Sequence, residues 1–232
     1  MAVSTQPDGT AVEPVLQAAK DAISESARGL DHLAQAIDTS FIHAASLLRY
    51  CRGKVVLTGA GTNALVAQRA AHLLSVCGTP AFFLDPGDAL HGTLGALTPD
   101  DVLIAMSKGG GTAEVNSVAR LARRRRVRVV ALSSNPTSAL IEHADVPVII
   151  PTNDDADPGG FIAMGSTLAY SAWLDAMTLV LMRSRRYPWS EVLFTHPSGA
   201  VGAVVDEPEP LPPLDLPHPA LAPRRSREEN PA

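Results

Sequence analysis

A chain of 232 residues, 46 % hydrophobic and 19 % charged, is long enough to bury one sizeable core without disulfides or a structural metal, which excludes general disorder. Its formal charge of -5 excludes a chain-wide attraction to nucleic acid, and no apolar stretch reaches the length of a membrane span. Two cysteines, Cys51 and Cys77, stand on unrelated apolar segments without metal-type spacing, as expected of small core residues in a reducing, cytoplasmic compartment.

The opening "MAVSTQPDGTAVEPV" lacks the basic start and apolar run of a signal peptide, so neither export nor membrane insertion is expected. Residues 1–14, polar and broken by proline, are expected to be a frayed leader. "VLQAAKDAISESARGLDHLAQAI" and "FIHAASLLRYC" then have the spacing of amphipathic helices. Short strand-like runs follow, "KVVLTG", "PAFFLD", "DVLIAMS", "RVVALSS" and "VPVIIPT", each leading into turn residues and a helical pattern. Runs of Val, Ile and Leu without polar alternation predict strands buried on both faces of a parallel sheet. The expected fold is an α/β, doubly wound three-layer sandwich with a central parallel sheet. The basic run at residues 123–128 reads as a helix end, where cations offset the dipole, ahead of a patch for RNA or an acidic partner. "GSTLAYSAWLDAMTLVLMRSRR" is a long helix whose apolar residues nearly encircle it, a sign of a subunit interface. Residues 203–232 are a proline-rich tail, expected to be extended or disordered because such a segment cannot pack a core.

In open parallel sheets ligands bind beyond the carboxyl ends of the strands. The first loop there is "TGAGTNAL". Gly59 and Gly61 let the backbone approach an anion, and Thr62 and Asn63 open a helix whose unpaired N–H groups point at it. Alone, this loop also fits the G-x-G-x-x-A dinucleotide fingerprint, with Asp85 about where a ribose-binding acid stands, so an NAD(P)-dependent dehydrogenase is a rival. The second loop sets Ser107, Lys108, Gly109, Gly110, Gly111 and Thr112 between another strand and helix. Its hydroxyls can donate to phosphate oxygens, and its glycines leave N–H groups accessible. A dinucleotide fold has no need of this second cradle. The third loop, "SSNPTSAL", reads as capping chemistry by Asn135 and Pro136 ahead of a ligand role.

Together "GAGTNA", "GDALHGTLGALTPDDVLIAMSKGGGTAE", "VVALSSNPTSALIEHADV" and "THPSGAVG" make residues 15–202 resemble the sugar isomerase (SIS) domain. Within it they resemble the arabinose 5-phosphate isomerase branch, without its paired CBS domains. The resemblance implies a homodimer or homotetramer, a phosphorylated sugar as ligand, and either aldose–ketose isomerisation or noncatalytic sensing. No cofactor, metal, nucleic acid or membrane partner is expected. It also implies that the "SKGGGT" loop takes the sugar phosphate. The family's usual loop is Ser-Asn-Ser-Gly-Glu-Thr. Ser107 and Thr112 match it, Lys108, Gly109 and Gly111 replace Asn, Ser and Glu, and Thr62 stands where a Lys is usual. His196 in "THPSG" matches the histidine of a His-Pro-Gly-Gly segment, and His91 in "ALHGTLG" that of a His-Gly-Asp segment. Asp155 in "NDDADPGG" stands where the family carries a catalytic Glu.

Isomerising a phosphosugar requires ring opening, proton movement between C1 and C2, and stabilisation of an enediolate. On the resemblance, His196 handles ring opening or proton transfer, Asp155 is the partner base, and His91 donates to a sugar oxygen. Lys108 supplies the positive charge lost at Thr62. The expected function is thus a phosphosugar isomerase, with a pentose 5-phosphate such as arabinose 5-phosphate as substrate. A noncatalytic phosphosugar sensor is the alternative, and the dehydrogenase comes third. Asp154, Asp155 and Asp157 sit on an acidic, glycine-rich loop that is usually solvated; with the histidines they suit a divalent cation, though nothing in their spacing requires one. His32, His43, His72, His143 and His218 carry no case.

Overall fold

Two helices precede the sheet, α1 (Gly9–Gln35) and α2 (Thr39–Arg49), in a computed structural model that describes residues 9–204 and 206–219, with side chains from Val12 onward. α1 begins upstream of Val15 and runs through Pro14. Lying little more than a turn from the helix start, that proline forfeits one bond, to the carbonyl four residues back. Residues 9–14 of the expected leader are therefore helical, and residues 1–8 lie outside the described residues. Asp38 starts α2 by accepting the Ser40 N–H at 2.8 Å.

The strand-like runs become β1 (Val55–Gly59), β2 (Ala81–Phe83), β3 (Val102–Met106), β4 (Arg128–Ser133) and β5 (Val146–Ile149). All are parallel, in the order β2-β1-β3-β4-β5, and Val55 pairs with Val102 and Val102 with Arg128. The intervening helices are α3 (Thr62–Val76), α4 (Pro86–Leu90), α5 (Ala113–Arg124) and α6 (Ala139–Glu142), with α7 (Gly165–Arg185) after the sheet. Alternation along each strand sends Leu57, Ile104 and Leu132 into a core with α1, α2, α3 and α7. Val56, Leu103 and Ala131 go into a second core with α4, α5 and α6. This is a three-layer α/β sandwich. Trp173 and Tyr170 of α7 are fully buried in the first layer, with Phe41 edge-on to Trp173 at 5.2 Å between centroids.

β5 departs from the expectation of strands buried on both faces. Val146 and Val148 are buried, whereas Pro147 is exposed and Ile149 is 41 % exposed. It is the edge strand beyond β4, and its second face stays partly open. α7 likewise buries most of its circumference but leaves Leu168 and Leu179 exposed. The basic run ends α5 and staples it to its neighbours: Arg125 Nε donates to the Leu97 carbonyl at 3.1 Å, and Arg123 to that of Glu142 at 3.2 Å. Two short helices, α8 (Trp189–Phe194) and α9 (Gly199–Gly202), follow α7, and residues 206–219 then run without helix or strand along the body. Among the described residues no helix is long and apolar enough to cross a membrane.

Candidate functional site

The chain leaves β1 toward β2 on one side of the sheet and β3 toward β4 on the other, so the loops after β1 and β3 part and open a crevice at the carboxyl edge. Gly59 ends β1. Gly61, at φ 59°, turns the chain into α3 with no side chain capping the helix start. Thr62 is exposed and Asn63 half-buried at that start. The first N–H groups of α3 therefore remain open toward the crevice.

The loop after β3 is held from below. Ser107 and Thr112 share a hydrogen bond between their hydroxyls at 2.9 Å, which engages the Thr112 side chain and leaves α5 without a side-chain cap. Gly110, at φ 66°, presses on the next loop so closely that a Cβ would overlap the Ser138 side chain. Its carbonyl accepts from Leu140 N–H at 3.2 Å and from Asn116 Nδ2 at 3.1 Å. Gly109 and Gly111 remain exposed, with open space where their side chains would stand. Asn135 shapes the loop and does not cap the helix: it makes an Asx turn, accepting from the Thr137 N–H at 3.0 Å and hydroxyl at 2.9 Å, while α6 starts at Ser138 without a side-chain cap.

Lys108 reaches across to the segment after β5. Its Nζ donates to Asp157 Oδ2 at 2.8 Å and to Asp154 Oδ1 at 3.1 Å. The Asp157 side chain is only 1 % exposed, and its other oxygen accepts the N–H groups of Met164 at 2.8 Å and Ser166 at 3.0 Å, at the start of α7. Burial alone would raise the Asp157 carboxyl; the Lys108 ammonium and the Ser166 and Met164 N–H groups outweigh it and bring the pKa down to about 2. Burial likewise pulls the Lys108 ammonium down, and the two carboxylates more than offset it, so the pair is ionised.

The carboxylates that meet Lys108 are thus Asp154 and Asp157, not Asp155. Asp155 is exposed; its backbone N–H donates to Asn153 Oδ1 at 3.2 Å, and its carboxylate has no partner among the described residues. His91 is exposed at the C-terminal cap of α4. His196 follows α8, with Nδ1 2.7 Å from the Val192 carbonyl. A carbonyl only accepts, so Nδ1 carries a proton, and in the neutral ring Nε2 is then the acceptor. The structure brings together Ser107 with Thr112 and Lys108 with Asp154 and Asp157, and does not bring His91, Asp155 and His196 into contact. The sequence leaves Asp157 ambiguous, its one local signal being an acid just before proline and glycine. Among the described residues no group of His, Cys, Asp and Glu is arranged to hold a metal ion.

Residues 48–181 match the SIS domain family. The chain belongs to the SIS family. This SIS chain is 33 % identical over 186 residues to arabinose 5-phosphate isomerase KdsD of Yersinia pestis, a match covering 80 % of the chain and 57 % of the relative. It is 32 % identical to KdsD of Escherichia coli K12, with the same coverage. The chain therefore spans just over half the length of these relatives. It superposes with a TM-score of 0.77, at 25 % identity, on an Escherichia coli CFT073 protein in complex with arabinose 5-phosphate, covering 82 % of the chain and 100 % of that protein. SIS membership and the strand order set aside the dinucleotide reading of "GAGTNA", since dinucleotide folds run 3-2-1-4. Asp85 corrects it too, because its carboxylate accepts the Gly87 N–H at 2.8 Å and the Asp88 N–H at 3.1 Å and so caps α4.

Proposed function

We propose that the chain is a phosphosugar aldose–ketose isomerase with a pentose 5-phosphate, such as arabinose 5-phosphate, as substrate. The observation that carries this reading is the pair of helix starts without side-chain caps at the β1–β3 crevice, one of them fronted by the Ser107–Thr112 hydroxyl pair. Open N–H groups, two hydroxyls and flexible glycines suit a phosphate better than any neutral group. The names of the KdsD relatives and the arabinose 5-phosphate bound by the structural neighbour support the sugar. Gly59, Gly61, Thr62 and Asn63 take part from the first loop, and Ser107, Gly109, Gly110, Gly111 and Thr112 from the second.

In the chemistry, a proton leaves C2 of the open-chain aldose and the carbonyl oxygen at C1 gains one, and the enediol then collapses to the ketose as the C2 hydroxyl gives up its proton and C1 gains one. His196 Nε2, free to accept, moves the proton. Asp155 is the partner carboxylate, exposed and without a partner among the described residues, whereas both oxygens of Asp157 are taken by Lys108 and by the N–H groups of Met164 and Ser166. His91 donates to a sugar oxygen. Lys108, gripped by two carboxylates, fixes the phosphate loop instead of neutralising the enediolate. These groups do not meet within one chain, so a second copy completes the site, in a homodimer or homotetramer.

The test is NMR of four- to seven-carbon aldose and ketose phosphates in deuterated water with the protein. Exchange at C1 or C2 of one sugar, lost in His196→Ala, is the expected result. A second reading, a noncatalytic sensor, draws on the neutralised Lys108 and the open space at Gly111. It is the outcome if no sugar exchanges while one still raises the melting temperature.

A further inference from the structure

Residues 207–219, "EPEPLPPLDLPHP", are dense in proline, which has no N–H and holds φ near -65°. Such a segment offers neighbours mainly carbonyl acceptors, and the body supplies donors to match. Trp189 Nε1 donates to the Glu209 carbonyl at 3.1 Å, Arg183 Nε to that of Pro212 at 2.7 Å and the Tyr50 hydroxyl to that of Leu216 at 3.2 Å. Glu209 and Pro212 are three residues apart, one turn of an extended prolyl helix, so both carbonyls present the same side. Leu216 packs against the first core, and the Tyr50 ring stacks on His218 at 4.0 Å between centroids. A groove of about 640 Å³ runs between this segment and the body, lined by Arg183, Tyr187, Trp189, Pro208, Pro210 and Pro213.

α8 is joined to this segment at its first residue, Trp189. It buries none of its residues, and among the described residues its one side-chain hydrogen bond to another segment is the one from Trp189 to Glu209. His196 hangs from the far end of α8 through its N–H to Leu193 and its Nδ1 to Val192. We infer that residues 207–216 are an intramolecular polyproline-type ligand, docked on an aromatic groove of the chain's own body, and that this dock clamps α8 and so positions His196. The clamp stands on its own geometry; its effect on turnover rests on the function proposed above.

Two full-length variants test it. Trp189→Phe removes the donor and keeps the aromatic surface, and the combined Pro210→Gly, Pro212→Gly and Pro213→Gly loosens the segment without touching the body. In both, amide hydrogen exchange over residues 190–196 is expected to quicken by about tenfold or more while that of β1, β3 and β4 stays unchanged. For the sugar found by the NMR panel, kcat is expected to fall about tenfold with KM held, as misplacing a proton-transfer group does. Unchanged exchange at α8 in both variants overturns the clamp. Faster exchange with kcat unchanged overturns the positioning of His196. If the unsubstituted chain turns over no sugar, the proposed function fails instead, and the exchange at α8 still decides the clamp.

Discussion

Asp157 ties the loop after β3 to the start of α7 through one carboxylate with three donors. Its pKa is about 2 in the fold against 3.8 in an unperturbed chain. A depressed pKa adds stability that is complete above pH 4 and disappears as pH falls through 2, an amount of about 2 kcal/mol. Urea unfolding at pH 5 and pH 2 should therefore show Asp157→Asn losing about 2 kcal/mol less across that interval than the unsubstituted chain. Equal losses would mean that the carboxylate is not held as described. Gly110 makes a second sharp test: Ala there meets Ser138 with φ positive and should cost at least about 2 kcal/mol in thermal unfolding. Gly111→Ala, with open space beside it, should stay within about 0.5 kcal/mol. Ser107 and Thr112 were legible because they lie five residues apart on one loop, within reach of a local pattern. Asp157 meets Lys108 across 49 residues of sequence, and no spacing rule spans that distance. The part expected of the neighbouring Asp155, that of a partner base, rests on its match to a family motif and is separate from this ion pair.

Strands were the most legible elements, because a fully buried parallel strand leaves an unbroken run of Val, Ile and Leu. The helices α4 and α6, five and four residues long, complete too little of a helical period to show one. The run of α1 through Pro14 was hidden by the usual meaning of proline. The N-terminal half of α1 also carries an exposed stripe of Val15, Leu16 and Ile23, the last 71 % exposed. Those residues recur on one face of the helix, and none of the described residues covers them. Packed on another copy, they would make unfolding depend on protein concentration. Ile23→Asp should lower the melting temperature and abolish its concentration dependence, measured by calorimetry over a hundredfold dilution series. A midpoint that is independent of concentration in both proteins would free the stripe of that role.

At the scale of the whole molecule, exposed aromatic surface is concentrated at Phe161, 93 % exposed, and Phe194, 80 % exposed, on the segments that carry the proposed site. Sedimentation should show a dimer or tetramer, and Phe161→Glu with Phe194→Glu should give a folded monomer without sugar exchange. An active monomer would remove the second copy from the site. The two margins of the sheet limit how such copies can meet. On one side β2 offers three residues, and on the other β5 places Pro147 in the ladder, where the backbone has no proton to give an incoming strand. Both margins are thus poor templates for a further strand. Edge-to-edge pairing, the route by which strands grow into fibres, is therefore disfavoured at both ends of the sheet.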